Sequence, residues 1–234
     1  MSQTLEILHN ESLAFPPLTD ALNEPNGLLA YGGDLSVKRL ISAYEQGIFP
    51  WYSDGDPLMW WSPDPRAIIN TASIKINRTL RKVLKQKHFS VSINRSFNDV
   101  INLCSDAPFR KEDTWIVNDM INAYKQLHKQ GHAHSIEVWQ NNELVGGLYG
   151  VAVNGYFSGE SMFYKVSNAS KIALVSLAQY LKSININMID CQMLNPFLAD
   201  MGCYEVSRNE FIKQQQKHIA MTVPSNFWHA KELT

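Results

Sequence analysis

The chain has little of what several large function classes require. Among its 234 residues are only three cysteines, Cys104, Cys191 and Cys203, widely spread and without CxxC or Cys/His ligand spacing. Such a set argues against a disulfide framework or a structural zinc site, so free thiols in a reducing cytoplasm are expected. Charge of one sign is also missing. The formal net charge is −1, so no global field advertises a nucleic-acid partner. No apolar run approaches the roughly 18–20 residues of a membrane span. The stretch MSQTLEILHNESLAF lacks the basic region and apolar core of a secretory signal. There is no GxxxxGKS/T, HExxH or GxSxG, so no P-loop, zinc-peptidase helix or hydrolase elbow is expected.

What is there is globular: 45% hydrophobic and 18% charged residues, enough for one large domain or two modest ones. The stretch IFPWYSDGDPLMWWSPDPR, residues 48–66, holds three of six tryptophans and four of ten prolines. Prolines at this density argue against a helix or an inner strand, so an irregular aromatic loop is expected. SIKINRTLRKVLKQKH carries Lys75, Arg78, Arg81, Lys82, Lys85 and Lys87 without an acid. Such a run is commonly a solvated helix face, and it can also contact a few phosphates.

The first third reads as loops with one short helix, SVKRLISAYEQG, capped by Asp34 or Ser36 and ended by Gly47. Regular patterning begins near residue 72, which puts a boundary between roughly 66 and 74 and divides the chain into 1–70 and 71–234. Helices are expected from Asn77 to about Lys87, Phe97 to Cys104, Val117 to Gln130 and Ser170 to Lys182. Three strands joined by Asn-Asn and Asn-Gly turns lie in SIEVWQNNELVGGLYGVAVNGYFSGESMF, and another in INMIDCQML. The pattern is that of an α+β layer fold.

Alternation in INMIDCQML puts Asp190 and Gln192 on one side of the strand, about 7 Å apart at Cα, and Cys191 on the other. An acid and an amide ending an apolar strand need partners, since burying them unpaired costs several kcal/mol. They either bond neighbouring loops or form a strand-end site. Glu160 in GESMF is a second acid, either solvated or functional. Met162, Leu148, Phe157 and Ile189 serve equally as core or as the lining of an apolar pocket. Gly146-Gly147 marks a bulge or a close backbone approach, and His132 and His134 read as structural. No nucleophile stands out.

Nine segments in order, EPNGLLAYGGDLS, GIFPW, WWSPDPRAII, TWI, GHAHSIEVW, LVGGLYGVA, GESMF, NASKIAL and IDCQ, resemble the leucyl/phenylalanyl-tRNA–protein transferase family over nearly the whole chain. The resemblance implies a small N-terminal domain followed by a domain like the acyl-CoA-dependent N-acyltransferases (GNAT-like). It implies a cytoplasmic enzyme that moves Leu or Phe from the acceptor end of aminoacyl-tRNA to the N-terminal Lys or Arg of proteins, marking them for N-end-rule degradation. No metal or cofactor is implied. An apolar pocket discriminates modestly, about 1–3 kcal/mol per methylene, so some transfer of Met is expected as well.

By the same resemblance, Trp51 and Trp115 stack on the terminal adenosine, while Trp60 and Trp61 join the aromatic loop to the second domain. Asp190 would polarise Gln192, which would orient or help deprotonate the attacking amine. Glu160 would bind a cationic amine or the adenosine end, and Met162, Leu148, Phe157 and Ile189 would hold the donated side chain. Lys75, Arg78, Arg81, Lys82 and Lys85 would touch tRNA phosphates. Two departures stand out: MLNPFLADMGCYEVSR, with Phe197, Asp200 and Met201, where a His and a Ser-Leu-Gly segment are usual, and Leu148 where Met is common. The rivals are an acyl-CoA N-acetyltransferase, disfavoured because YKVSNASKIAL lacks the Q/RxxGxG/A phosphate loop, and a non-catalytic RNA-binding module.

Overall fold

Residues 5–106 and 116–233 are described in a computed structural model of the protein. The N-terminal part contains more regular structure than its composition suggests. Strands β1 (Glu6–Leu8), β2 (Leu28–Gly32), β3 (Phe49–Pro50) and β4 (Met59–Trp61) form a sheet in the order β1-β2-β4-β3, with helix α1 (Val37–Glu45) between β2 and β3. These strands are two to five residues long, too short for alternation to register in sequence. The proline-rich stretch is therefore partly a ribbon and not wholly a loop. Pro50 sits on the edge strand β3, where a missing N–H is tolerated, and the inner strand β4 is free of proline. Ser36 caps α1 through its side chain, accepting from the Arg39 N–H, and Gly47 follows the helix with φ +75°.

The second sheet holds β5 (Arg66–Asn70), β6 (Ser90–Ile93), β7 (Ala133–Gln140), β8 (Glu143–Val153), β9 (Tyr156–Tyr164), β10 (Met188–Gln192), β11 (Tyr204–Val206) and β12 (Lys231–Glu232), in the order β11-β5-β10-β9-β8-β7-β6-β12. The expected meander is β7-β8-β9, with Asn141, Asn142 and Asn154 at positive φ in its two turns. The pair β9/β10 is parallel within an otherwise antiparallel sheet, because helix α5 (Ala169–Lys182) carries the chain between them. The other helices are α2 (Arg78–Gln86), α3 (Phe97–Ser105), α4 (Asn118–Lys129), α6 (Pro196–Asp200) and α7 (Arg208–Ile219).

Apolar residues of α2 and α5 share one core with the sheet. Those of α1, α3, α4 and α7 share a second core that also takes in the N-terminal sheet through Leu29, Trp60 and Trp61. The result is a mixed α+β layer structure. Gly146 meets both of its sequence expectations. The β8 register shifts beside it, opposite Val138 and Trp139, and a Cβ at Gly146 would lie 2.5 Å from Ala169 Cβ. Only glycine lets the first turn of α5 lie this close to the sheet.

Candidate active site

Strand β10 does not alternate to its end. Its pairing with β5 runs Asp190 to Ile68 and then Gln192 to Ala67, leaving Cys191 as an extra residue, and Gln192 has φ +62°. A bulge and a left-handed residue re-aim the chain, so the expectation that Cys191 faces away from Gln192 fails. Both residues border one cavity, while Asp190 lies behind it without solvent exposure.

The Asp190 carboxylate is saturated with donors. Arg66 gives two hydrogen bonds, Nε to Oδ1 at 2.9 Å and Nη2 to Oδ2 at 2.7 Å. Tyr156 donates its hydroxyl to Oδ2 at 2.5 Å, and the backbone N–H of Gln192 donates to Oδ1 at 2.9 Å. Arg66 donates its remaining Nη1 to the Gly47 carbonyl at 3.0 Å, and its guanidinium lies 4.9 Å from the Phe49 ring centre and 4.5 Å from that of Phe211. Burial opposes the Arg66 charge, but the adjoining Asp190 carboxylate overcomes it and holds the guanidinium pKa above its ordinary value. Two-pronged pairing with every lone pair engaged is what makes such a buried pair tolerable.

Glu160 is placed by a second bulge. In the β8/β9 register Tyr149 pairs with Ser161 and Gly150 with Gly159, so Glu160 is the extra residue. Gln192 donates Nε2 to Glu160 Oε1 at 3.0 Å, and Tyr124 donates its hydroxyl to Oε2 at 3.2 Å. Ser158 Oγ is 3.1 Å from Glu160 Oε1 and 3.4 Å from Asp190 Oδ2, so its one proton serves one acid at a time. The hydroxyls of Tyr44 and Tyr124 are 2.5 Å apart. Burial raises the Glu160 pKa to about 7, with Asp190 adding to the rise and bonds from Tyr44, Ser158 and Tyr124 opposing it. Both tyrosines are pushed well above their ordinary values, first by burial and then by the Glu160 charge.

In front of these groups is a cavity of about 1080 Å³. Leu148, Met162 and Ile189 line it, as do Glu160, Gln192 and Trp51, the last on the rim and 37% exposed. Leu174 and Leu177 of α5 also line it, although the sequence reading had not singled them out. Phe157 is the exception: it does not border the cavity but packs 5.7 Å from Trp228. Phe157 and Met162 are five residues apart and would face opposite ways on a regular strand. The Glu160 bulge turns both toward the same core, at different depths along β9.

Trp115 lies outside the described residues. Trp60 and Trp61 bond within the N-terminal sheet, Trp60 Nε1 to the Gly32 carbonyl at 2.9 Å and Trp61 Nε1 to the Trp51 carbonyl at 2.7 Å. The Trp61 ring lies 5.4 Å from that of Trp51, and so braces the rim residue. Lys75, Arg78, Arg81, Lys82 and Lys85 are exposed on and just before α2.

The Cys191 thiol shares a hydrogen bond with Cys203, which together with burial pushes it well up and leaves it a poor nucleophile. His134 is structural: it stacks 4.0 Å from the Trp228 ring, and its Nδ1 accepts from Asn94 Nδ2 at 2.9 Å. No cluster of three His, Cys, Asp or Glu suited to a metal ion is found among the described residues, and no helix among them is long and apolar enough to cross a membrane.

The sequence reading missed Arg66, Tyr44, Tyr124 and Tyr156. Arg66 left one signal, a cation opening the apolar run AII, while the tyrosines looked like ordinary core aromatics.

Two family models match the chain. That of the leucyl/phenylalanyl-tRNA protein transferase covers residues 68–216, and that of the N-terminal domain of the same family covers residues 33–64. A leucyl/phenylalanyl-tRNA–protein transferase of Colwellia psychrerythraea is 60% identical over 100% of this chain and 99% of its own length. Those of Lawsonia intracellularis and Pseudoalteromonas atlantica are 51% and 47% identical, over 97% and 96% of this chain and 99% and 96% of their own lengths. Among solved structures, L-PGS from Bacillus licheniformis aligns with a TM-score of 0.41 at 12% identity, over 71% of this chain and 53% of that one. A likeness that weak carries no argument about fold or chemistry.

Proposed function

The chain belongs to the leucyl/phenylalanyl-tRNA protein transferase family, and from that premise we propose that it moves Leu or Phe, and less readily Met, from aminoacyl-tRNA to the N-terminal Lys or Arg of proteins, marking them for degradation in the cytoplasm. It is an aminoacyltransferase, with aminoacyl-tRNA as donor and a protein as acceptor. The observation that carries the finer reading is the Gln192–Glu160 pair at 3.0 Å, beside an apolar cavity with Trp51 at its rim. We retain 1–70 as a small N-terminal unit and 71–234 as a GNAT-like unit, with β5 contributed to the larger sheet from the first.

An aminoacyl ester is already activated, so the reaction needs orientation more than bond-making help. The acceptor's neutral α-amine attacks the ester carbonyl. The C–N bond forms, the C–O bond to the ribose breaks, and one amine proton ends on the released ribose hydroxyl. Gln192 contacts the amine, Glu160 attracts the cationic end of the acceptor, and Asp190 supports Gln192 from behind. Leu148, Met162 and Ile189 receive the donor side chain, and the flexible thioether of Met162 adapts to both shapes. Phe157 has no part in this pocket. Trp51 stacks on the terminal base, a contact worth about 1–3 kcal/mol, and the exposed charges of α2 meet acceptor-stem phosphates.

The test mixes purified protein with labelled Leu-tRNA and a peptide beginning with Arg. Label in that peptide, and none in one beginning with Ala, supports both the reaction and its acceptor rule. An intact ester in the presence of folded protein overturns the reading.

A further inference from the structure

The two acids beside Gln192 differ in what they can do for it. Asp190 meets Gln192 at the backbone N–H, with its oxygens otherwise taken by Arg66 and Tyr156. Glu160 meets the side chain, through Nε2 at 3.0 Å. An ionised carboxylate only accepts hydrogen bonds, so it fixes which end of the amide turns toward it. The amide nitrogen must face Glu160, and Gln192 Oε1 is thereby turned the other way, as an acceptor for an N–H arriving in the cavity.

The geometry points to Glu160 as the positioning residue that sets the Gln192 amide for the attacking amine, with the Tyr44–Tyr124 hydroxyl pair fixing Glu160 in turn, and to Asp190 as the backbone anchor of the bulge. This rests on the transferase reading and assigns the work within its site. When Glu160 takes a proton it becomes a donor as well. It can then bond Gln192 Oε1, and the amide loses its enforced direction. Productive alignment therefore requires the ionised acid.

The groups facing Glu160 are Tyr44 from α1, Tyr124 from α4, Asp190 from β10 and Arg66 from β5, with Tyr149 of β8 packed 5.6 Å from the Tyr124 ring. The Tyr124 bond favours the ionised acid, whereas the Asp190 charge disfavours it. Removing one or the other therefore moves the titration in opposite directions.

The experiment measures the pH dependence of kcat, under saturating Phe-tRNA and an Arg-peptide, for the wild type, Glu160→Gln, Tyr124→Phe and Asp190→Asn. Below pH 7 the wild-type rate should fall with two protons, one from Glu160 and one from the peptide α-amine, whose ordinary pKa is about 8. Glu160→Gln should lower kcat at pH 8 by about 10- to 150-fold, the loss of one charge-assisted hydrogen bond, and leave only the amine's single-proton limb. Tyr124→Phe should keep both protons and move the acid midpoint up by about one unit. Asp190→Asn should keep the acid step and move it down, while lowering the melting temperature.

An acid step that survives in Glu160→Gln and vanishes in Asp190→Asn assigns the amide to Asp190 and overturns the inference. An unmoved midpoint in Tyr124→Phe removes the tyrosine pair from it. A wild type that transfers nothing fails the transferase reading itself, a result distinct from either.

Discussion

Arg66 and Asp190 lie 124 residues apart in sequence and form a two-pronged ion pair at 2.9 and 2.7 Å, with side-chain exposures of 1% and 0%. Through the Gly47 carbonyl and the Phe49 and Phe211 rings, Arg66 also ties the segment after α1 and helix α7 to strand β10. The pair sits directly beside the bulge at Cys191, where the register with β5 shifts.

Breaking this pair on one side strands a buried charge. Arg66→Met is expected to cost about 3–5 kcal/mol in urea unfolding, with Asp190→Leu similar. The double variant should cost less than the sum of the two, because neither charge is then left alone. A single variant within about 1 kcal/mol of wild type would mean that water reaches the remaining charge.

His134 makes stability depend on acid. Burial, and after it the neighbouring His128 and His132, lower its pKa to about 3, against 6.5 for the free side chain. Between these values only the unfolded chain takes up the proton. The stability contribution is therefore complete above pH 6.5 and is lost as the pH falls toward 3, with a slope approaching 1.4 kcal/mol per unit, about one proton. His134→Gln should remove about one proton from that slope between pH 6 and 4, as read from urea midpoints. An unchanged slope would place the acid sensitivity elsewhere.

Trp51 is 37% exposed at the cavity rim, and its tie to Trp61 runs partly through its backbone carbonyl, which survives truncation. Trp51→Ala should weaken aminoacyl-tRNA binding by about 1–3 kcal/mol, the value of one stacked base. The melting temperature should move little. A large drop in melting temperature with unchanged tRNA affinity would make the ring structural.

The α2 charges make a salt-dependent prediction. If Arg81 and Lys82 each meet a phosphate, replacing both with Ala should lower the slope of log affinity against log salt by about 1.4–1.8, depending on strandedness. Parallel lines for variant and wild type would leave α2 as a solvated face.

The elements with strong local signals were legible. The helix Arg78–Gln86 starts at Asn77, whose side chain accepts from the Leu80 N–H, and the meander turns carry Asn141, Asn142 and Asn154, where the backbone takes positive φ. The strands around Trp60 and Trp61 were not, because strands of two or three residues draw their pairing from neighbours distant in sequence. The helix Pro196–Asp200 lies within the segment that departs from the family pattern, and the helix Arg208–Ile219 follows it.

The sequence alone determined the family, the α+β class, and the residue types at the cavity: Glu160, Met162, Leu148, Ile189 and Gln192 all stand in short motifs whose order survives in the linear chain. Which acid touches the Gln192 amide, and which apolar residues reach the cavity, was decided only by tertiary structure. Both depend on two bulges, at Glu160 and Cys191, that shift a strand by one residue and reverse the faces beyond them. A period-two reading carries no mark of that shift. The partners that use up Asp190, Arg66 on β5 and Tyr156 on β9, come from elsewhere in the chain and meet it only when the sheet closes around them.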